Sequence, residues 1–218
     1  MTSFLRRRFW LMLGLCSALA AVILILMPGE KTLGWVIKIV YLHGALSRAG
    51  MIGLWAAGIA GVVYLIRPRP ALARWTAALL LGGWGYWAAH FIASIPATRL
   101  TWGPWIAWGE PRVTMTLQVL VAGLVVIVIT RLLKDARFTA AATLLLAAAV
   151  ALLIGRTGVL RHPLDPIGSS PSTLFRLVYL LLLIPVVGSM FLIAWRLAQG
   201  KAADSAPIMA TEDGAGAS

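Results

Sequence analysis

Residues 101–112 read TWGPWIAWGEPR and lie between two long apolar runs. This stretch decides the fold, because Gly103, Pro104, Gly109 and Pro111 interrupt any regular helix that would join those runs. A buried core element is not punctuated in this way. Trp102, Trp105 and Trp108 crowd the same segment. Indole has an apolar body and a polar edge and concentrates at the headgroup level of a bilayer, so the plainest reading is an aromatic-belt loop between two membrane spans. The functional reading is a flat aromatic platform for a planar, partly apolar ligand.

Composition points to the same environment. The chain has 218 residues, of which 61% are hydrophobic and only 12% charged, and its mean hydropathy of +0.90 lies far outside the range of soluble domains. An all-α, polytopic membrane protein is expected. The net charge of +12 would suit nucleic acid only if it formed a stripe; here the basic residues are scattered at the ends of apolar runs, so a nucleic-acid partner is not expected. Cys16 is the sole cysteine, which excludes an intrachain disulfide, a CxxC pair and covalent haem attachment through CxxCH.

Working outward, the apolar runs divide the chain into spans at Phe9–Met27, within 34–66, at Ala71–Ala93, Val113–Leu132, Phe138–Ile154 and Leu174–Ala194. A cleaved signal peptide is an alternative for the first run. Its length, however, is that of a span rather than of a signal core, and it continues past the small residues Ser17 to Ala20. The second run is roughly 50 Å long at helical rise, so part of it is expected to tilt or to project from the hydrocarbon. Pro185 is expected to kink the last span. These runs define a six-helix membrane domain over residues 1–199, a Trp-rich loop over 95–111, and a small polar, disordered cytoplasmic tail over 200–218.

Orientation follows from the basic flanks. With the amino terminus inside, one side carries Arg6, Arg7, Arg8, Arg67, Arg69, Arg74, Arg131, Lys134, Arg137, Arg196 and Lys201, and the other only Lys31, Arg99, Arg112, Arg156, Arg161 and Arg176. The positive-inside rule then predicts both termini in the cytoplasm. That topology puts His43, the tryptophan loop and His162 on the outer side.

Within YLHGALSRAG (41–50), His43 and Ser47 share a helix face with Arg48 nearby, and Gly44 and Ala45 leave room beside the imidazole. A polar cluster at this depth is costly, which favours function over a snorkelling pair. A neutral imidazole nitrogen suits a metal or haem iron, and the planar fork of Arg48 suits a carboxylate such as a propionate. His162, between Arg161 and Pro163, is read either as a solvated loop histidine or as a second ligand. His90, near the outer end of the third span, is the weaker candidate. Two histidines flanking an aromatic shelf, with Arg48, Arg99, Arg112 and Arg161 for carboxylates, describe a bis-imidazole haem pocket open to the outer face.

These residues resemble the CcmC family, the haem-handling membrane proteins of system I cytochrome c maturation with a tryptophan-rich (WWD) domain. The family signature WGxxWxWD, followed by a basic residue, compares with WGPWIAW at 102–108 and GEPR at 109–112. Trp102, Gly103 and Trp108 match directly, and Trp105 matches a second aromatic position. Ile106 replaces a tryptophan, and Gly109 stands where the family has aspartate. Glu110 supplies a carboxylate one residue late, and Arg112 corresponds to the basic residue. YLHGALSRAG resembles the family's YLHxP segment, and His162 stands in the connection that holds the family's second histidine.

The resemblance covers about residues 30–195. It implies that haem b is bound transiently and non-covalently by His43 and His162 against Trp102, Trp105 and Trp108. It further implies presentation to a haem chaperone of the CcmE type, in association with ABC-transporter subunits, and delivery rather than enzymatic turnover. A b-haem electron-transfer subunit of a quinone-linked complex and a non-haem membrane scaffold or transporter are the alternatives.

Overall fold

The structure, a computed structural model, describes residues 2–159 and 171–203, with side chains over 7–159 and 171–200. Six helices follow one another: α1 (Thr2–Leu26), α2 (Ile37–Ile66), α3 (Pro70–Trp102), α4 (Pro111–Leu133), α5 (Ala136–Arg156) and α6 (Thr173–Ala203). All six contain a stretch long and apolar enough to cross a membrane. No strand occurs among the described residues, where the only bridge joins Glu30 to Gly34 in the α1–α2 turn. The chain is a multi-pass, all-helical membrane protein.

The helix boundaries have local causes. Pro70 and Pro111 each stand in the first turn of a helix after an extended residue, Arg69 and Glu110, where a missing N–H costs nothing. Lys134 takes a left-handed conformation (φ 54°) that ends α4. Asp135 then caps α5 by accepting the Phe138 N–H at 2.6 Å.

α2 and α3 form the centre of the bundle. α5 and α6 pack against α2; α4, α5 and α6 pack against α3; and α1 lies mainly on α6. One core cluster joins Leu54, Leu80, Trp87, Val119 and Val150, and a second joins Tyr41, Ala45, Tyr179, Leu182 and Met190. Large apolar residues such as Ile59, Leu132, Leu145 and Ile184 remain exposed on the outside of the bundle. That surface is suited to lipid tails rather than to water.

Two boundaries differ from the sequence expectation. The segment assigned to a loop over 95–111 is helical as far as Trp102, with Pro96 inside α3, so the loop proper is 103–110. A proline removes one backbone hydrogen bond, and membrane helices tolerate that loss. α6 likewise runs to Ala203, beyond the expected boundary at 199, because Gln199, Lys201, Ala202 and Ala203 are good helix formers around a single glycine. Residues 204–218, most of the expected tail, lie outside the described residues.

Candidate functional site

α2 and α3 approach until their main chains touch. A methyl group placed at Gly53 would lie 2.6 Å from the Gly83 Cα, and one placed at Gly50 would lie 2.7 Å from the Trp87 nitrogen. Only glycine permits that separation. Two turns further along each helix, the seam carries His43 and His90.

Their rings stack with centroids 4.2 Å apart and planes 26° from parallel. His43 Nδ1–H donates to the His90 carbonyl oxygen at 3.2 Å, and His90 Nδ1–H donates to the His43 carbonyl oxygen at 3.1 Å. A carbonyl only accepts, so both imidazoles carry their proton on Nδ1 and the lone pair of each neutral ring lies on Nε2. This is the arrangement by which a backbone carbonyl orients a metal-ligating histidine. Trp87 lies against His90, with centroids 5.4 Å apart, and its indole N–H donates to the Thr116 carbonyl at 3.3 Å. That bond ties the pair to α4.

The pair stands about 30 Å of helical rise from Pro70, close to one hydrocarbon thickness. It therefore lies far from the start of α3, towards the end of the bundle where α3 leads into the tryptophan loop.

The loop doubles back towards the pair. Trp84 and Trp87 donate to the carbonyls of Leu120 and Thr116, an antiparallel register that brings the first turn of α4 level with residues 92 and 93 of α3. The last turns of α3 therefore project roughly 14 Å beyond the start of α4, and residues 103–110 return along them. Gly103 makes the reversal with φ +96°, a conformation that favours glycine. Arg99 donates to the Gly103 carbonyl and lies 5.4 Å from the centroid of the Trp105 ring, a cation–π contact. Trp105 and Trp108 are 61% and 67% exposed, whereas Trp102, the last residue of α3, is half-buried.

Glu110 is only 3% exposed. Arg112 is half-buried in the first turn of α4.

Neither family models nor curated proteins yield a match to this chain.

Of the residues singled out by sequence, His43, Glu110, Arg112 and the three tryptophans gather at one end of the bundle. Arg48 is exposed on α2, while Ala45 and Ala49 on the packed face are fully buried; it does not join His43. His162 lies outside the described residues, although α5 ends and α6 begins at the same end as the tryptophan loop. The partner the structure gives His43 is His90. A sequence signal for it exists: His43 precedes Gly50, and His90 follows Gly83, by the same seven residues, two helical turns. Among the described residues no cluster of three or more metal-ligating side chains occurs.

Proposed function

We propose that this protein binds haem non-covalently at one face of the membrane and hands it to a partner. The observation that carries the reading is the state of His43: its Nδ1–H is held by the His90 carbonyl, so Nε2 is the nitrogen that can bind iron. Haem is the cargo, and its tetrapyrrole already supplies most of the iron's coordination. A single oriented imidazole, with an exposed aromatic surface at the same end of the bundle, supplies the first contacts in this reading. Trp105 and Trp108 offer exposed indole faces for the porphyrin. Arg99 and Arg112, at the same end, supply cations for the propionates.

The positive-inside distribution favours the extracytoplasmic side for this end, with both termini in the cytoplasm. The resemblance to CcmC-type proteins supports His162 as the second axial ligand, a haem chaperone as the receiver and ABC-transporter subunits as associates. A ligand on a connection between helices can leave the iron more readily than His43, which is fixed in the seam, so the reading predicts release by loss of the His162 bond first.

The test is the absorption and resonance Raman spectrum of purified protein and of the His43→Ala and His162→Ala variants. Loss of haem content or of the six-coordinate low-spin signature in both variants is expected. Wild-type haem and spectrum in both would overturn the assignment.

One observation favours a second reading, a b-type electron-transfer protein. His90 is buried within a span, as axial histidines of membrane cytochromes usually are. Haem that resists transfer to apo-myoglobin yet is reduced by quinol would select that reading. Haem that transfers readily selects delivery.

A further inference from the structure

At the end of the bundle away from the tryptophans, α1, α3, α4 and α6 surround an open cavity of about 620 Å³. Its walls are apolar, with Phe9 and Leu13 from α1, Leu81 from α3 and Ile193 from α6. Arg74, Arg131 and Arg196, each from a different helix, also line it. Among the described residues no carboxylate lines it. The one described acidic side chain at this end, Asp135, is engaged in capping α5 through the Phe138 N–H. Three guanidiniums around one apolar hollow repel each other, and a shared anion relieves that repulsion.

Arginines at a membrane boundary ordinarily only set topology. Arg67 and Arg137 fit that description, because they are exposed at the same end and do not line the cavity. Arg74, Arg131 and Arg196 differ in lining the apolar cavity, although Arg131 and Arg196 are also exposed. A planar guanidinium pairs bidentately with phosphate oxygens, and basic pockets between membrane helices bind anionic headgroups. The volume lies within the roughly 300–1,000 Å³ typical of ligand sites. Inorganic phosphate would satisfy the arginines but leave the walls of Phe9, Leu13, Leu81 and Ile193 unused.

We propose that this cavity binds one anionic glycerophospholipid, its phosphate between Arg74, Arg131 and Arg196 and an acyl chain along the apolar walls. The bound lipid would join α1, which otherwise rests mainly on α6, to α3 and α4. This inference does not depend on the haem reading.

The experiment is native mass spectrometry of the full-length protein released from vesicles of equal phosphatidylglycerol and phosphatidylcholine, with retention of each lipid titrated against free lipid. Wild type is expected to retain one phosphatidylglycerol in preference to phosphatidylcholine. Each arginine replaced by glutamine is expected to weaken retention about fivefold, equivalent to about 1 kcal/mol per cation near a lipid surface. The triple variant R74Q/R131Q/R196Q should then lose roughly a hundredfold, while the control R67Q/R137Q keeps wild-type retention. Should the triple variant not fold, R131Q alone, at an exposed position in the last turn of α4, decides the matter by its fivefold effect. Equal retention of the two lipids by wild type, an equal loss in the control, unchanged retention in R131Q, or displacement of the lipid by millimolar inorganic phosphate would each overturn the proposal.

Discussion

Where α2 crosses α3, Gly53 and Gly83 leave two main chains in contact and the two histidines bonded to each other's backbone. Towards the far end of α3, residues 103–110 hold Trp105 and Trp108 largely exposed, with Arg99 over the Trp105 ring. The first region is tightly packed; the second presents two open indole faces. Under the proposed haem reading, gripping an iron and releasing a macrocycle call for this division, since a ligand atom works by being fixed in place and a platform works by being open. The contrast assigns different signatures to mutations: changes that part the glycine seam should act on stability, changes at His43 on iron ligation, and changes in the loop on uptake.

The largest effect is expected from Gly83→Leu. Its Cβ would lie 2.6 Å from the Leu54 nitrogen and 2.7 Å from the Gly53 carbonyl carbon, atoms that cannot yield without parting the helices. A loss of about 3 kcal/mol or more is expected, at the upper end of overpacking costs, read as a lowered thermal midpoint in detergent. A wild-type midpoint would break the seam as described. His90→Ala should follow, at about 2 kcal/mol, through the loss of the ring stack and of the Nδ1 bond in a buried site. The same thermal scan checks it.

Asp135→Ala sharpens the comparison from the far end of the bundle. Loss of the α5 cap should cost about 1 kcal/mol and leave haem content unchanged, separating general destabilisation from damage to the site. Trp105→Ala and Trp108→Ala should reverse that pattern. Their stability should stay within about 0.5 kcal/mol of wild type, as for other exposed positions, while haem uptake from solution falls. A large loss of stability with unaltered uptake would show that the loop is structural.

The smallest effect concerns the α1–α2 turn. The Glu30 carboxylate accepts the N–H groups of Leu33 at 2.9 Å and Thr32 at 2.8 Å, and these bonds hold it below the ordinary carboxylate range. The contribution of the turn is then complete above the ordinary carboxylate pKa and lost as pH falls through the lowered one. Glu30→Gln should remove that acid sensitivity from the hydrogen-exchange protection of the Thr32 and Leu33 amides.

The spans and their punctuation were legible in the sequence because they depend on composition and on local chemistry. Pro70, Pro111 and Asp135 start helices where their side chains and backbones require it. Trp102 falls in α3 rather than in the loop because the helix continues through Pro96, a break that is tolerated in membrane helices. His90 was undervalued for a different reason. Its partner depends on which faces of α2 and α3 meet, and that register is set by glycines whose packing role shows only when both helices are read together. Arg48 shows the converse, a residue close to His43 in sequence that the helical turn carries onto an exposed face.

The central claim is that His43 Nε2 binds haem iron. It is tested most directly by His43→Gly protein supplied with haem and titrated with free imidazole. The account predicts that the variant folds, loses the low-spin spectrum of wild type, and regains it as imidazole fills the vacated place. A low-spin spectrum in His43→Gly indistinguishable from wild type before any imidazole is added would contradict it.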